Sequence, residues 1–184
     1  MKKKILVPLA EGFEMIEALA VVDVFRRASV SVDIAAIGGQ LAVTSSHQVV
    51  VQADTLIEQC EDQEYDLIVL PGGIPGAENL KKSKPLEKLL KRQHQQDKFF
   101  AAICAAPAVV LQSHGLLEGK KATCHPMFLE ELSSQEHGRE RVVIDGKCVT
   151  SRGAGTAIEF GLELLGILCG EDKKKEVATQ MAIA

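Results

Sequence analysis

Residues 99–111 read FFAAICAAPAVVL. Phe99–Ile103 is a short apolar run, long enough for a buried strand. Pro107 suits the first turn of a helix, where its missing N–H costs nothing. Ala108, Val109, Val110 and Leu111 continue as a buried helix. Cys104 lies between strand and helix, flanked by alanines. A strand that turns directly into a helix bends sharply, and only small neighbours fit. That is the geometry of a nucleophile elbow, which lifts one side chain above the sheet edge. A thiol there faces a helix N-terminus, whose free N–H groups favour thiolate over thiol. The same pattern equally suits a buried small hydrophobe, the commoner fate of a free cysteine.

Working outward, apolar runs alternate with amphipathic ones. Ile5–Pro8, Ser31–Ile37 and Tyr65–Leu70 read as buried strands. A largely buried helix follows the first, from Ile16 to Arg27. Leu41–Thr44 and Val49–Ala53 form a hairpin around Ser45–Gln48. Pro75–Leu80 begins a short helix, and Pro85–Gln96 is a polar helix with Leu86, Leu89 and Leu90 inward. Beyond the elbow, Lys121–Cys124 reads as a strand and Met127–Leu132 as a short helix. Val142–Asp145 and Cys148–Ser151 form a second hairpin. Helices over Thr156–Cys169 and Lys173–Ile183 close the chain. This alternation predicts an α/β sandwich with a mainly parallel sheet.

In such a sheet, ligands bind beyond the carboxyl ends of the strands. Four turns follow strands here: Glu11–Glu17, Pro71–Gly76, Cys104–Pro107 and His125-Pro126. A parallel sheet brings them to one edge, so a carboxylate, a glycine turn, a thiol and an imidazole share a cleft. A thiolate needs a hydrogen-bonding partner, and an attacked carbonyl needs N–H donors. Gly72 and Gly73 can turn such donors toward the spot because neither carries a Cβ. Each element has a plainer use. Glu14 and Glu17 could serve the positive helix end, the glycines an ordinary turn, and His125 a hydrogen-bonded turn. The segment Pro71–Gly76 lacks GxGxxG and GK[ST], which argues against a nucleotide phosphate site.

The 184 residues fit one domain, residues 1–184, with a sizeable core. A net charge of −4 argues against a broad nucleic-acid or anionic-membrane surface. The basic runs Lys2–Lys4 and Lys173–Lys175 read as solvated ends. No apolar stretch reaches membrane-helix length, and the N-terminal run is too short for a signal peptide, so the expected location is cytoplasmic. Five cysteines, odd in number and without a CxxC, indicate neither a zinc site nor a disulfide framework.

AAICAAP (101–107), VLPGGIPGAENL (69–80), EGFEMIEALAVVDVFRRA (11–28), TCHP (123–126) and TSRGAGT (150–156) resemble the ThiJ/PfpI superfamily. Within it they resemble the parkinsonism-associated, DJ-one branch and its bacterial YajL-like relatives. The resemblance runs along nearly the whole chain. It implies a flavodoxin-like three-layer sandwich, related to the class I glutamine amidotransferase domain and working as a homodimer. It implies catalytic roles for Cys104, for Glu17 rather than Glu14, and for His125. It implies that the N–H groups of Gly73 and Ala105 face the sulfur, with Gly72 lining the cleft. Arg27 and Arg152 match arginines near the site or the dimer interface. Two positions depart from the human relative: His47 replaces an arginine, and Ala154 replaces a proline. Both lie at the cleft rim or interface.

The implied activity is cofactor-free and metal-free chemistry on small aldehydes or glycated substrates, as a glyoxalase III-type lyase or a deglycase. The alternative is a sensor of oxidative stress or a chaperone acting through oxidation of Cys104. Thiazole monophosphate synthesis and peptidase activity rank below both. Nothing in the sequence binds thiazole, and no insertion builds a cleft for an extended chain. No specific nucleic-acid partner and no membrane association are implied.

Overall fold

The computed structural model describes residues 3–183. In chain order, the first elements are β1 (Lys4–Leu9), α1 (Met15–Arg27), β2 (Ser31–Ala36), β3 (Ala42–Thr44), β4 (Val50–Gln52) and β5 (Thr55–Leu56). Then come β6 (Leu67–Leu70), α2 (Gly76–Lys82), α3 (Lys84–Gln95) and β7 (Phe99–Ile103). The chain continues through β8 (Val142–Asp145), β9 (Cys148–Ser151), α4 (Ala157–Cys169) and α5 (Glu171–Gln180).

Seven strands form one sheet in the order β5-β2-β1-β6-β7-β9-β8. Every pairing is parallel except β8 with β9. Strands buried on both faces read as apolar runs, which is why β1, β6 and β7 stand out in the sequence. Successive side chains still part to opposite faces. Ile5, Val7 and Leu9 of β1 pack with Val21, Val24 and Phe25 of α1 and with Phe160, Leu164 and Leu165 of α4. Leu6 packs on the other side with Leu86, Leu89 and Leu90 of α3 and with Val110 and Leu111. Two cores flank one sheet, and the result is the three-layer, flavodoxin-like sandwich the sequence predicts.

The structure departs from the sequence reading in three places. Lys121–Cys124 is not a strand. The edge of β7 that it would need is taken by β9. Its N–H groups go to side chains instead, Lys121 N to Asp145 Oδ2 at 2.8 Å and Thr123 N to Thr150 Oγ1 at 2.9 Å. The helix after the elbow is six residues of wide, π-type winding, Pro107–Gln112. The basic run at the N-terminus is only partly a solvated end: Lys2 lies outside the described residues, but Lys4 is half-buried, pairs with Asp33 at 2.7 Å and lies over the Tyr65 ring. The hairpin β3–β4 stands apart from the main sheet, as a two-stranded ribbon. It is tied to the turn after β1 by Gly12 N to Thr44 O at 2.8 Å and Ser46 N to Phe13 O at 2.9 Å. No helix among the described residues is long and apolar enough to cross a membrane.

Candidate active site

The turns after β1, β6, β7 and β9 meet at the carboxyl edge of the sheet. Cys104 follows directly on β7 with φ of 65°, a left-handed conformation that a residue with a Cβ adopts only under constraint. The constraint is visible. Cys104 N donates to Ser151 O at the end of β9, at 3.0 Å, and Cys104 O accepts from His125 N at 2.8 Å. Ala105 and Ala106 are fully enclosed and leave no room for larger residues. The elbow is therefore held from both neighbouring segments, and the second bond also delivers His125.

Glu17 sits in the first turn of α1 and is 1% exposed. The N-cap is Glu14, whose carboxylate accepts the Glu17 N–H at 2.8 Å. The two glutamates thus part company: one caps the helix and the other points inward. Glu17 Oε2 accepts the Gly72 N–H at 2.8 Å, and the Cys104 side chain and the Ala154 N–H lie near enough to the carboxyl to act on its titration. Gly72 has no alternative here. A Cβ on it would stand 2.6 Å from Cys104 Cβ and 2.9 Å from Glu17 Oε2. Gly73 has φ of 84°, and a Cβ there would meet Glu14 N at 2.6 Å.

Burial pushes the Glu17 carboxyl up to about 7, against the opposing pull of its bonds to Cys104 and Gly72. Burial also pushes the Cys104 thiol up, to about 12, and the nearby Glu17 charge adds to it. The N–H groups of Gly73 and Ala105 pull the other way. This corrects the sequence expectation of a depressed thiol. The helix that was to supply the positive end is only six residues long, so its dipole is small beside the desolvation. The two acids act as one unit that parts with its first proton near neutral pH.

His125 is half-buried. Its Nδ1 accepts the Met127 N–H at 3.3 Å, which in the neutral ring leaves the proton on Nε2. The ring stands edge-on to Phe128. A Cβ built on Gly153 would lie 3.5 Å from His125 Cδ2, 3.8 Å from Glu17 Oε1 and 3.9 Å from Cys104 Sγ. All three side chains therefore gather beside Gly153. The sequence reading names neither Gly153 nor the Ala154 N–H as part of the site. Yet β9 runs parallel to β7, so the loop after it lies at the same sheet edge as the other turns.

The arginines are not brought to this spot within the chain. Arg27 pairs with Asp23 at 2.8 Å on the surface of α1. Ten residues of helix separate it from Glu17, about 15 Å. Arg152 is half-buried beside Gly153, with its Nε enclosed and unpartnered among the described residues. His47 is exposed at the tip of the β3–β4 hairpin, with Nδ1 3.1 Å from Ser46 Oγ. All five cysteines are free thiols; Cys60, Cys124 and Cys148 are fully enclosed, whereas Cys104 and Cys169 are partly open. Among the described residues, no three His, Cys, Asp or Glu side chains gather to hold a metal ion.

The model of the DJ-1/PfpI family matches residues 3–166. Protein DJ-1 homolog B of Arabidopsis thaliana is 48% identical over 177 residues, covering 96% of this chain and 40% of that protein. The chain spans less than half the length of that relative. Glutathione-independent glyoxalase DJR-1.2 of Caenorhabditis elegans is 31% identical over 133 residues, covering 71% of this chain and 70% of that protein. The structure of oxidized Toxoplasma gondii DJ-1 superposes with a TM-score of 0.96 at 43% identity, covering 99% of both chains.

Proposed function

The chain belongs to the DJ-1/PfpI family, and from that premise we propose a cysteine-dependent, cofactor-free enzyme acting on small reactive aldehydes. The observation that carries this reading is the gathering of Cys104 Sγ, Glu17 Oε1 and the His125 ring around Gly153. The glyoxalase named in the nematode relative supports the substrate class.

The chemistry suits the residues. An α-oxoaldehyde such as methylglyoxal carries an electrophilic aldehyde carbon. Cys104 sulfur adds to it while Glu17 accepts the thiol proton, its carboxyl being poised near 7 as a base should be. The aldehyde oxygen becomes the hydroxyl of a hemithioacetal. The hydrogen on that carbon then passes to the neighbouring carbonyl carbon, with Glu17 as the proton carrier. This leaves a 2-hydroxy thioester. Water cleaves the thioester, releasing lactate and returning the thiol. Methylglyoxal plus water and lactic acid contain the same atoms and the same electrons, so no external oxidant or reductant enters. His125, carrying its proton on Nε2, serves as a donor to the developing oxygen rather than as the base. Release of aldehyde adducts from amines or thiols, the deglycase variant, uses the same nucleophile and acid.

A homodimer is part of the proposal. Ile16, Ile158 and Ile183 are 50%, 43% and 51% exposed. With Leu162, Ala154 and Gly155 they line a mainly apolar groove of about 460 Å³ along α1 and α4, which the charged Arg141, Glu159, Glu163 and Lys174 also border. Ala154 belongs to both groove and site, so a second copy on this face would border the site. Five free thiols suit the reducing cytoplasm proposed for the chain.

The test is turnover of methylglyoxal to lactate in a buffer free of reactive amines and thiols. Wild type should turn it over and Cys104→Ser should not. Equal lactate production by both would remove the cysteine mechanism. No turnover by either, with Cys104 still oxidised to a sulfinate by peroxide, would instead support an oxidation sensor.

A further inference from the structure

We propose that the outer face of α3, with the groove beside it, is a docking surface for an acidic segment of a partner protein: an apolar residue next to a short run of carboxylates.

Charge is unevenly shared along the chain. Residues 79–96 hold six of its 21 lysines and arginines and one of its 25 acids, so this stretch carries +5 and the remainder −9. Leu86, Leu89 and Leu90 turn one side of α3 into the core. Lys84, Lys88, Lys91 and Gln95 follow at helical spacing along the other side. With Glu87 and Arg92 they line a groove of about 510 Å³. The three lysine side chains are 86%, 64% and 51% exposed.

These cations are already held in place. Glu87 takes one N–H from Lys84 at 2.8 Å and one from Lys91 at 2.7 Å. An ammonium has three donors, so both lysines keep donors for a second carboxylate. One acid thus fixes two cations and cancels only one charge. Lys88 is bonded to Glu61 at 2.9 Å. The Arg92 guanidinium donates to the backbone carbonyls of Glu61 and Gln63, which leave its charge intact. Ordering these long side chains on binding costs less than ordering free ones.

A second groove, of about 530 Å³, adjoins the first through Lys84 and Glu87. There Lys81, Lys82 and Lys84 are matched by Glu78, Glu87 and Glu131, and His114 also borders it. This groove favours no anion, and its Val109 and Phe128 offer contact to an apolar side chain. The carboxylates of a partner therefore lie over α3, and its apolar residue lies in the neighbouring groove. The same features disfavour nucleic acid. From Lys84 to Gln95 the helix runs about 16 Å, the length of about five extended peptide residues. A duplex would run past it onto a chain whose remaining charge is −9. α3 carries no Phe, Tyr or Trp on which bases could stack.

The test is fluorescence anisotropy with labelled probes at low and moderate salt. The first probe is one leucine followed by five glutamates. The second replaces the leucine by alanine, the third replaces the glutamates by glutamines, and the fourth is a short DNA duplex. Wild type should bind the first probe saturably, more weakly as salt rises, and should not bind the glutamine probe. Alanine for leucine should weaken binding by about 3-fold or more. The triple variant Lys84→Gln, Lys88→Gln, Lys91→Gln should bind the first probe about 10-fold more weakly, and each single variant about 1.5- to 5-fold. Lys120→Gln, Lys121→Gln, Lys175→Gln, which removes the same charge elsewhere, should bind like wild type. Equal affinity in the two triple variants would overturn the proposal. So would equal affinity for the leucine and alanine probes, or tighter binding of the duplex than of the first peptide. Should the α3 triple variant not fold, the three single variants decide: affinities equal to wild type in all of them overturn the inference.

Discussion

At the scale of single residues, Glu17 titrates near neutral pH beside a thiol that keeps its proton. Below about 7 the carboxyl is protonated and the thiol has no base. The pH profile of kcat/KM for methylglyoxal should therefore rise through about 7 in wild type. Glu17→Gln keeps an oxygen for the Gly72 N–H and a donor for the sulfur, but cannot take a proton. It should lose about 10²-fold or more in turnover and lose that inflection with it. The same group leaves a mark on stability. A carboxyl raised from 4.5 to about 7 favours the fold fully below pH 4.5, and that contribution is lost as pH rises through about 7. Glu17→Gln should accordingly gain on wild type between pH 4.5 and 8, by on the order of 3 kcal/mol. Thermal unfolding of both proteins across that range reads the difference. A constant gap at all pH values, or a wild-type activity profile flat through 7, would refute the assignment.

At the scale of elements, the strand–elbow unit was legible because local chemistry dictates it: an apolar run, a small-residue bend, and a proline where a helix begins. Cys104 accordingly stands at positive φ between β7 and the next helical turn. The choice between Glu14 and Glu17 was not legible from periodicity, since residues three apart share a helix face. The resemblance supplied the register, and backbone geometry supplies the reason. Glu14 has extended backbone at the N-cap, φ −87° and ψ 116°, so its side chain folds back onto the Glu17 N–H. Glu17 lies within the helix and enters the core. Glu14→Ala should then cost about 0.5–2 kcal/mol of stability as a lost cap. It should leave methylglyoxal turnover within a few-fold of wild type. Steady-state kinetics beside thermal unfolding checks both halves, and a Glu14→Ala protein as inactive as Glu17→Gln would reverse the roles. What sequence could not show was long-range. The 121–124 segment has strand-like residues, but whether it pairs depends on β9 occupying the edge of β7. The height of the Cys104 thiol likewise depends on how much of the molecule closes over it.

At the scale of the whole molecule, α1 faces two ways at one turn. Glu17 is buried at the sheet edge, while its neighbour Ile16 is half-exposed in the groove with Ile158 and Ile183. An apolar groove of this kind is stable in water when something apolar covers it, and a two-fold contact with a second copy covers both grooves at once. Such a contact also gives Arg27 its only route to a site, because its own Glu17 lies about 15 Å along the helix. Light scattering at micromolar concentration should report a dimer for wild type. Ile158→Glu, which places a charge in the groove without touching Cys104, Glu17 or His125, should give a monomer. If the partner steadies the Ala154 N–H and the turn carrying Glu17, the monomer should also turn over methylglyoxal more slowly. Reaction of Cys104 with peroxide should change less, because the elbow is anchored within its own chain by Ser151 and His125. A monomeric wild type would leave the groove to another partner and remove Arg27 from the chemistry. A dimer that survives Ile158→Glu would place the subunit contact elsewhere on the surface.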